Sequence, residues 1–211
     1  MKRLPIGLVL IIFVLTSCNL EVNKSIDIGD GERIKKDLFT VNGSIRIGKD
    51  CQIDGNCRAV NGSIEIDDHS KVRDLNSING GINLGEQVLV KGDVVAVNGP
   101  LHAKIGTVIQ GEISTINGEI DLTGTEVTED LVTLSGDVYL RDQTIIKGNI
   151  RVDKKGLIND SSNRLYLTIR VTDGSVVEGD VIVKDKEREV TLDLRRGGKV
   201  LGEIRNAEVL R

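Results

Sequence analysis

His102 and Asp121 are two residues that could do chemistry together, because an imidazole beside a carboxylate is the pair that general-base catalysis uses. They lie 19 residues apart, which is one period of a repeat in this chain, so their side chains are expected to be neighbours. The pattern supplies neither a nucleophile nor a pocket beside them. We therefore interpret the pair as part of a solvent-facing ladder and predict no catalytic residue.

The second histidine, His69, follows Asp67 and Asp68. A zinc site needs a convergent set of nitrogen, sulfur or oxygen ligands, usually four in a structural site. This cluster offers one imidazole, and no matching cluster follows it. We predict a polar corner, with no metal ion and no other cofactor.

Cys51 and Cys57 fall at inward positions, where another repeat carries Val88 and Val94. An exported protein often oxidises such a pair to a disulfide. Extended strands that meet at a corner between the two cysteines would hold their Cα atoms about 10 Å apart, beyond disulfide reach. We therefore predict two buried free thiols.

Residues 1–17 have the pattern of a targeting segment, with a basic start and an apolar run over residues 6–15. The step Leu15-Thr16-Ser17-Cys18 resembles the lipobox of bacterial lipoproteins. The resemblance implies a lipoprotein signal peptide over 1–17, a diacylglycerol on the Cys18 thiol and a lipidated tether over 18–21. The alternative is an ordinary cleaved signal peptide or an uncleaved anchor, although the apolar run is too short to span a bilayer comfortably.

Lipidation would make the membrane the first partner of this chain, because two or more acyl chains give lasting attachment. Asn19, not an acidic residue, follows the cysteine. In enterobacteria-like sorting that residue implies the outer membrane, facing the periplasm, over the inner membrane. The expected location is therefore the bacterial cell envelope.

A repeated phrase organises the rest of the chain. Val41-Asn42-Gly43-Ser44-Ile45-Arg46-Ile47 returns as Val60-Asn61-Gly62-Ser63-Ile64-Glu65-Ile66. The Asn-Gly step recurs every 18 or 19 residues, at Asn42, Asn61, Asn79, Asn98 and Asn117, and then as Ser135-Gly136. A regular period of this length is typical of a solenoid, in which each unit buries its apolar face against its neighbours.

Each repeat contains three short alternating apolar pairs separated by three corners. In one unit these pairs are Ile82 and Leu84, Val88 and Val90, and Val94 and Ala96. Three strands and three corners predict an all-β, single-stranded, three-sided parallel β-helix of about nine coils over residues 22–211, with a right-handed twist. With neighbouring strands ~4.8 Å apart, the rod would be on the order of 40 Å long. We expect the corner glycines to adopt positive φ.

Stacking in this register predicts one inward column and one outward ladder. The inward column contains Ile45, Ile64, Ile82, Leu101, Ile120 and Val138. The outward ladder places Asp27, Arg46 and Glu65 above one another, so that opposite charges alternate, and continues through Asn83, His102, Asp121 and Tyr139. Cross-strand charge pairs contribute roughly 0.2 to 1 kcal/mol each.

Composition excludes several function classes. Aromatic residues make up 2% of the chain and tryptophan is absent, which suits a narrow aliphatic core better than the core of a globular enzyme. The formal net charge is -4, with both signs interspersed, so no nucleic-acid partner is expected. The repeats fill nearly all of the chain after the targeting segment, and we interpret them as one domain.

The period is interrupted after Val152 by a polar segment that is typical of a loop. Loops that vary on a rigid scaffold often carry binding, so this insertion near 157–164 is the candidate interaction loop. Its residues are Leu157, Asn159, Asp160, Ser161, Ser162, Asn163 and Arg164.

Two families share these phrases. The Val-Asn-Gly-Ser-Ile-x-Ile phrase resembles that of adhesin-like β-strand repeat proteins, and the Val-x-Gly-x-Val corners resemble those of bactofilins, the polymer-forming cytoskeletal family. Both resemblances cover roughly residues 22–210 and imply a β-helix without enzymatic activity. Bactofilins are cytoplasmic, whereas this chain carries an export pattern and a lipid site.

These patterns predict a non-enzymatic, membrane-anchored lipoprotein that acts as a rigid envelope scaffold or interaction module. Its partner would be an envelope protein or a glycan. An adhesin-like glycan-binding or partner-binding module is the alternative, and a hexapeptide-type acyltransferase is a further one, because Ile53-Asp54-Gly55 imitates the pattern of those enzymes.

The unpaired strand edges at the two ends of a β-helix invite association. Arginine and lysine are enriched near the last repeats, and we expect like charge to limit association there to weak self-association. These residues are Arg195, Arg196, Lys199, Arg205 and Arg211.

Overall fold

The structure, a computed structural model, describes residues 21–154 and 166–211. Over these residues the chain forms a β-solenoid of three parallel sheets, with strands as its regular elements and no helix. The prediction of an all-β, three-sided parallel β-helix of about nine coils is confirmed. Its right-handed twist stays a prediction.

The strands are short, because a corner interrupts the chain after every pair of inward residues. In chain order they are β1 (Glu21–Val22), β2 (Ile26–Ile28), β3 (Arg33–Ile34), β4 (Leu38–Val41), β5 (Ile45–Ile47), β6 (Gln52–Ile53), β7 (Cys57–Val60), β8 (Ile64–Ile66), β9 (Lys71–Val72), β10 (Leu75–Ile78), β11 (Ile82–Leu84), β12 (Leu89–Val90), β13 (Val94–Val97), β14 (Leu101–Ala103), β15 (Val108–Ile109), β16 (Ile113–Thr115), β17 (Ile120–Thr123), β18 (Glu126–Val127), β19 (Leu131–Thr133), β20 (Val138–Arg141), β21 (Ile145–Ile146), β22 (Ile150–Val152), β23 (Tyr166–Val171), β24 (Val176–Val177), β25 (Val181–Val183), β26 (Glu189–Asp193), β27 (Lys199–Val200), β28 (Ile204–Arg205) and β29 (Glu208–Leu210).

Every third strand belongs to the same sheet. Sheet 1 runs from β1 to β28, sheet 2 from β2 to β29 and sheet 3 from β3 to β27, and each strand pairs in parallel with the strand one coil away. Ile82 lies opposite Ile64 on one side and Leu101 on the other, and the whole predicted inward column is paired in this way. The 18- or 19-residue period is therefore the register of the sheets.

The core is a narrow aliphatic column enclosed by the three sheets. The three predicted pairs of one coil, from Ile82 to Ala96, are all buried, with exposures of 0 to 2%. Burial of one such side chain is worth about 1.5 to 3 kcal/mol relative to leaving it in water. Because each coil supplies about six of them, stacking alone accounts for the absence of large aromatics.

Asparagine occupies the corner between sheets 1 and 2 in a left-handed conformation. Asn42, Asn61, Asn79 and Asn98 have φ of 55° to 56°. Each side-chain amide in the series donates to the amide oxygen of the preceding coil at 2.8 to 2.9 Å, from Asn42 to Asn117. This asparagine ladder fixes the corner from outside as the aliphatic column fixes it from inside.

The expectation that corner glycines adopt positive φ is wrong at the Asn-Gly corner. The asparagine takes the positive φ, and the glycine is required by the close approach of the coil before it. A Cβ on Gly62 would lie 1.8 Å from the carbonyl oxygen of Gly43, and a Cβ on Gly80 would lie 2.1 Å from that of Gly62. The expectation holds at the corner between sheets 2 and 3, where Gly106 has a φ of 77°.

A column of hydroxyl groups lies inside the corner that leads into sheet 3. Ser70 donates to the Gly48 carbonyl oxygen at 2.8 Å and accepts the Cys51 backbone N–H at 2.9 Å. The Cys51 thiol occupies the equivalent position and donates to the Gly29 carbonyl oxygen at 3.0 Å. Both Cys51 and Cys57 are buried free thiols, as predicted, but Cys51 acts as a hydrogen-bond donor and not merely as an apolar residue.

The insertion after β22 leaves the three sheets continuous. Ile150 of β22 pairs with Val181 of β25, and Val138 of β20 pairs with Ile169 of β23. The 31-residue offset of the second pair replaces the usual 19, so about 12 extra residues are accommodated outside the stack. The last coils lengthen to an offset of 23, as Val177 and Val200 show.

A second, smaller apolar cluster lies on the outside of the stack, near the Asn-Gly corner. Val97, Ile116 and Leu134 are 5 to 8% exposed and pack with Val95. Arg188, from the connection between β25 and β26, is 7% exposed, and its guanidinium donates to the Leu134 carbonyl oxygen. Simple inward-outward alternation did not predict this cluster.

Candidate functional site

Both predicted site regions lie outside the described residues. These are Cys18 and the candidate interaction loop, whose residues are Leu157, Asn159, Asp160, Ser161, Ser162, Asn163 and Arg164. Their described neighbours are β1, which begins at Glu21, and the strands β22 and β23 on either side of the loop. The lipid site and the interaction loop therefore stay predictions.

The outer face of sheet 2 carries the predicted ladder of side chains. Asp27, Arg46 and Glu65 are paired in register, and Arg46 contacts both carboxylates, at 3.2 and 3.5 Å. All three side chains are at least 44% exposed, so each ion pair contributes less than about 1 kcal/mol. They set the register more than they set the stability.

Further along this face, the ladder brings His102 and Asp121 together with a third residue, Glu119. His102 lies directly opposite Asp121, and Glu119 precedes Asp121 by two residues on the same face. One donor atom from each of the three side chains lies within 4.8 Å of the others. Glu119 was missed from the sequence, although the alternation of a strand places residues 119 and 121 on one side.

Two arginines and a tyrosine border this cluster. Arg141 donates to Asp121 Oδ2 at 2.8 Å. The guanidinium groups of Arg141 and Arg170 lie 5.2 and 5.3 Å from the centre of the Tyr139 ring. Partial burial, followed by the nearby Asp137 and Glu119 carboxylates, raises the pKa of the Tyr139 phenol, so Tyr139 is neutral at physiological pH.

The predicted polar corner at Asp67-Asp68-His69 does not bring its three side chains to one point. Lys49 binds Asp68 at 2.8 Å, and its hydrogen bond, with that of the Glu86 backbone N–H, lowers the pKa of Asp68 to about 2. His69 instead faces Asp50, with 3.9 Å between Nδ1 and the carboxylate oxygen. This corner is a chain of surface contacts, in agreement with its interpretation from the sequence.

Asp193 is the most buried carboxylate among those with described ion pairs. It is 2% exposed and accepts hydrogen bonds from Arg195 at 2.6 and 2.8 Å and from Arg170 at 3.2 Å. The Arg195 hydrogen bonds hold the pKa of Asp193 well below its usual range. Asp193 therefore stays charged at neutral pH and ties β23 to β26.

The positive charge predicted near the last coils is largely balanced. Arg195 pairs with Asp193, Arg196 lies 3.7 Å from Asp173, and Arg205 lies 2.6 Å from Glu203. Like-charge repulsion at this end is therefore weaker than the sequence indicated. The open end also forms a recess lined by Leu194, Gly198, Lys199, Val200, Leu201 and Arg211.

The buried thiols do not offer a reactive group. Cys57 is fully buried, and desolvation raises the pKa of its thiol to about 12. A thiolate is the reactive form of cysteine, and its population at neutral pH would be very small. Cys57 serves as a small apolar residue of the core.

Comparisons with protein-family models, with curated proteins and with solved structures found no match. Within residues 21–154 and 166–211, no helix has the length and apolar character needed to cross a bilayer. The interpretation of function therefore depends on the residues and the geometry described above.

Proposed function

We propose that this chain is a non-enzymatic lipoprotein of the bacterial cell envelope, anchored through Cys18, that acts as a rigid scaffold or interaction module. The observation that carries the proposal is the unbroken stack. All three sheets continue from the first described coil to the last, and each coil is fastened to the next by parallel strand pairing. A rod built in this way holds its shape along its full length.

The position of the first coil supports attachment at one end. Strand β1 begins at Glu21, so only two residues separate it from Cys18. An extended tether of this length reaches about 10 Å. A lipid on Cys18 would hold the amino-terminal coil at the headgroups and project the carboxyl-terminal coils away from the membrane.

Lipidation of Cys18 is tested by intact-mass spectrometry of the full chain expressed in a bacterium with two membranes. The expected product lacks residues 1–17 and carries acyl chains at its new amino terminus. Cys18→Ser is expected to keep residues 1–17 and gain no lipid, because serine offers no thiol to the modifying enzyme. Density-gradient separation of the two membranes then locates the lipidated product.

Cys51→Ser is the matched control for this experiment, because Ser70 already occupies the equivalent position one coil away. It should be processed and lipidated like the unsubstituted chain. An unsubstituted product without an acyl mass, or one cut at a different residue, would contradict the anchor.

We further propose that the insertion near 157–164 contacts the partner, which we infer to be an envelope protein or a glycan. The strands on both sides of the insertion keep their pairing with neighbouring coils, so the scaffold does not depend on it for register. The resemblance to bactofilins and to adhesin-like repeat proteins adds polymer formation or adhesion as related roles for such a rod.

Deletion of residues 157–164 is expected to change the free energy of unfolding by less than about 0.5 kcal/mol, because all three sheets bypass the insertion. The same deletion should abolish capture of the partner in crosslinking experiments on intact cells. A full-length variant with Asn159, Asp160, Asn163 and Arg164 replaced by alanine separates loss of side chains from loss of length. Equal capture of the same partner by all three proteins would exclude this loop as the contact.

A further inference from the structure

His102, Glu119 and Asp121 present the donor atoms of a transition-metal site on the outer face of sheet 2. One imidazole nitrogen and two carboxylate oxygens lie within 4.8 Å of one another. In a zinc site, ligand atoms are about 2.0 to 2.2 Å from the ion, so two tetrahedral ligands lie roughly 3.4 Å apart. The three donor atoms must therefore approach by about 1 Å, which a rotamer change of the exposed Glu119 can supply.

The backbone already holds the three residues in the required arrangement. His102 on β14 is the direct partner of Asp121 on β17, and both strands are paired on either side with further coils. Glu119 lies at the start of β17, two residues before Asp121 and on the same face. A site on rigid, paired strands loses little conformational freedom when it binds its ion.

Asp121 provides an independent sign that a cation is missing. Its Oδ2 accepts a hydrogen bond from Arg141, whereas its Oδ1 is buried and has no hydrogen-bond partner in the described part of the chain. A buried carboxylate oxygen without a donor is unfavourable. An ion bound at Oδ1 would remove this cost, and Arg141 would orient the carboxylate from its other side, as outer partners of metal ligands commonly do.

We propose that His102, Glu119 and Asp121 bind one divalent transition-metal ion, with Zn²⁺ the ion that their donor set suits best. An imidazole with two carboxylates matches the nitrogen and oxygen ligands of zinc, and two negative charges balance the ion. Three protein ligands leave a fourth position open toward solvent, where water or a donor atom of a bound molecule completes the coordination. This proposal replaces the expectation from the sequence that the chain holds no metal.

The test is a titration of the full chain, purified in detergent and stripped with a chelator, with ZnCl₂ followed by calorimetry. We expect one ion per chain. Co²⁺ should add the visible absorption bands of a four-coordinate site. His102→Ala, Glu119→Gln and Asp121→Asn should each weaken binding by at least about tenfold, the loss seen even when outer partners of metal ligands are changed.

His69→Ala is the matched control, because His69 is the other histidine of the chain and faces a single carboxylate at 3.9 Å. It should bind Zn²⁺ as the unsubstituted chain does. Circular dichroism checks that each variant keeps its strand content. Absence of one-to-one binding, unchanged affinity in His102→Ala, or equal losses in His69→Ala and His102→Ala would each overturn the proposal.

Discussion

Replacing Ile82 with aspartate is expected to unfold the coils around it, at a cost of more than about 4 kcal/mol. Ile82 is fully buried in the inward column, between Ile64 and Leu101. A carboxylate placed there would have aliphatic neighbours and no partner, and burial of such a group is strongly unfavourable. Thermal unfolding followed by circular dichroism measures the loss.

Asn83→Asp is the matched control for this substitution. It introduces the same side chain one position along the same strand, but on the solvent-facing side. Glu65 is its neighbour in the ladder, so a small destabilisation, below about 1 kcal/mol, is expected from like charges. Similar losses in the two variants would show that Ile82 does not face an aliphatic core.

Gly80→Ala is expected to be the second most damaging change, at about 3 kcal/mol or more, the upper range for overpacking. The added Cβ would lie 2.1 Å from the carbonyl oxygen of Gly62. Backbone cannot move aside as a flexible side chain can, so two neighbouring coils would have to separate. Chemical denaturation of the purified variant measures the effect.

The adjacent glycine gives a close control. A Cβ on Gly81 would meet its nearest atoms, those of Pro100, at 3.2 to 3.3 Å. Ser63 and Pro100 occupy the equivalent position in the neighbouring coils. Gly81→Ala should therefore range from no change to about 1 kcal/mol of stabilisation. A loss as large as that of Gly80→Ala would contradict the close approach of the coils as the cause.

The sequence was sufficient for the architecture because the repeat states the register directly. A phrase that returns every 18 or 19 residues can place Ile64, Ile82 and Leu101 in one column only if successive coils stack in parallel. The alternation within each phrase then separates inward from outward residues. Neither inference requires knowledge of side-chain conformation.

Contacts that depend on distances between coils were less accessible. The need for glycine at Gly62 and Gly80 arises from the approach of the preceding coil, which the pattern of turn residues does not reveal. The contribution of Glu119 required the side-chain positions beside His102 and Asp121. Arg188 reaches the Leu134 carbonyl oxygen across 54 residues, a contact that no local pattern encodes.

The asparagine ladder has a consequence for the chemical ageing of the protein. Asn-Gly is the step at which an unfolded chain most readily loses the side-chain amide, because the glycine nitrogen can attack the neighbouring amide carbon. In the folded chain the amides of Asn42, Asn61 and Asn79 are held by hydrogen bonds to the coils beside them, and the backbone is fixed in a left-handed turn. Deamidation would replace a donor with a carboxylate that faces another oxygen, so each episode of unfolding would leave a lasting mark that makes the next one easier.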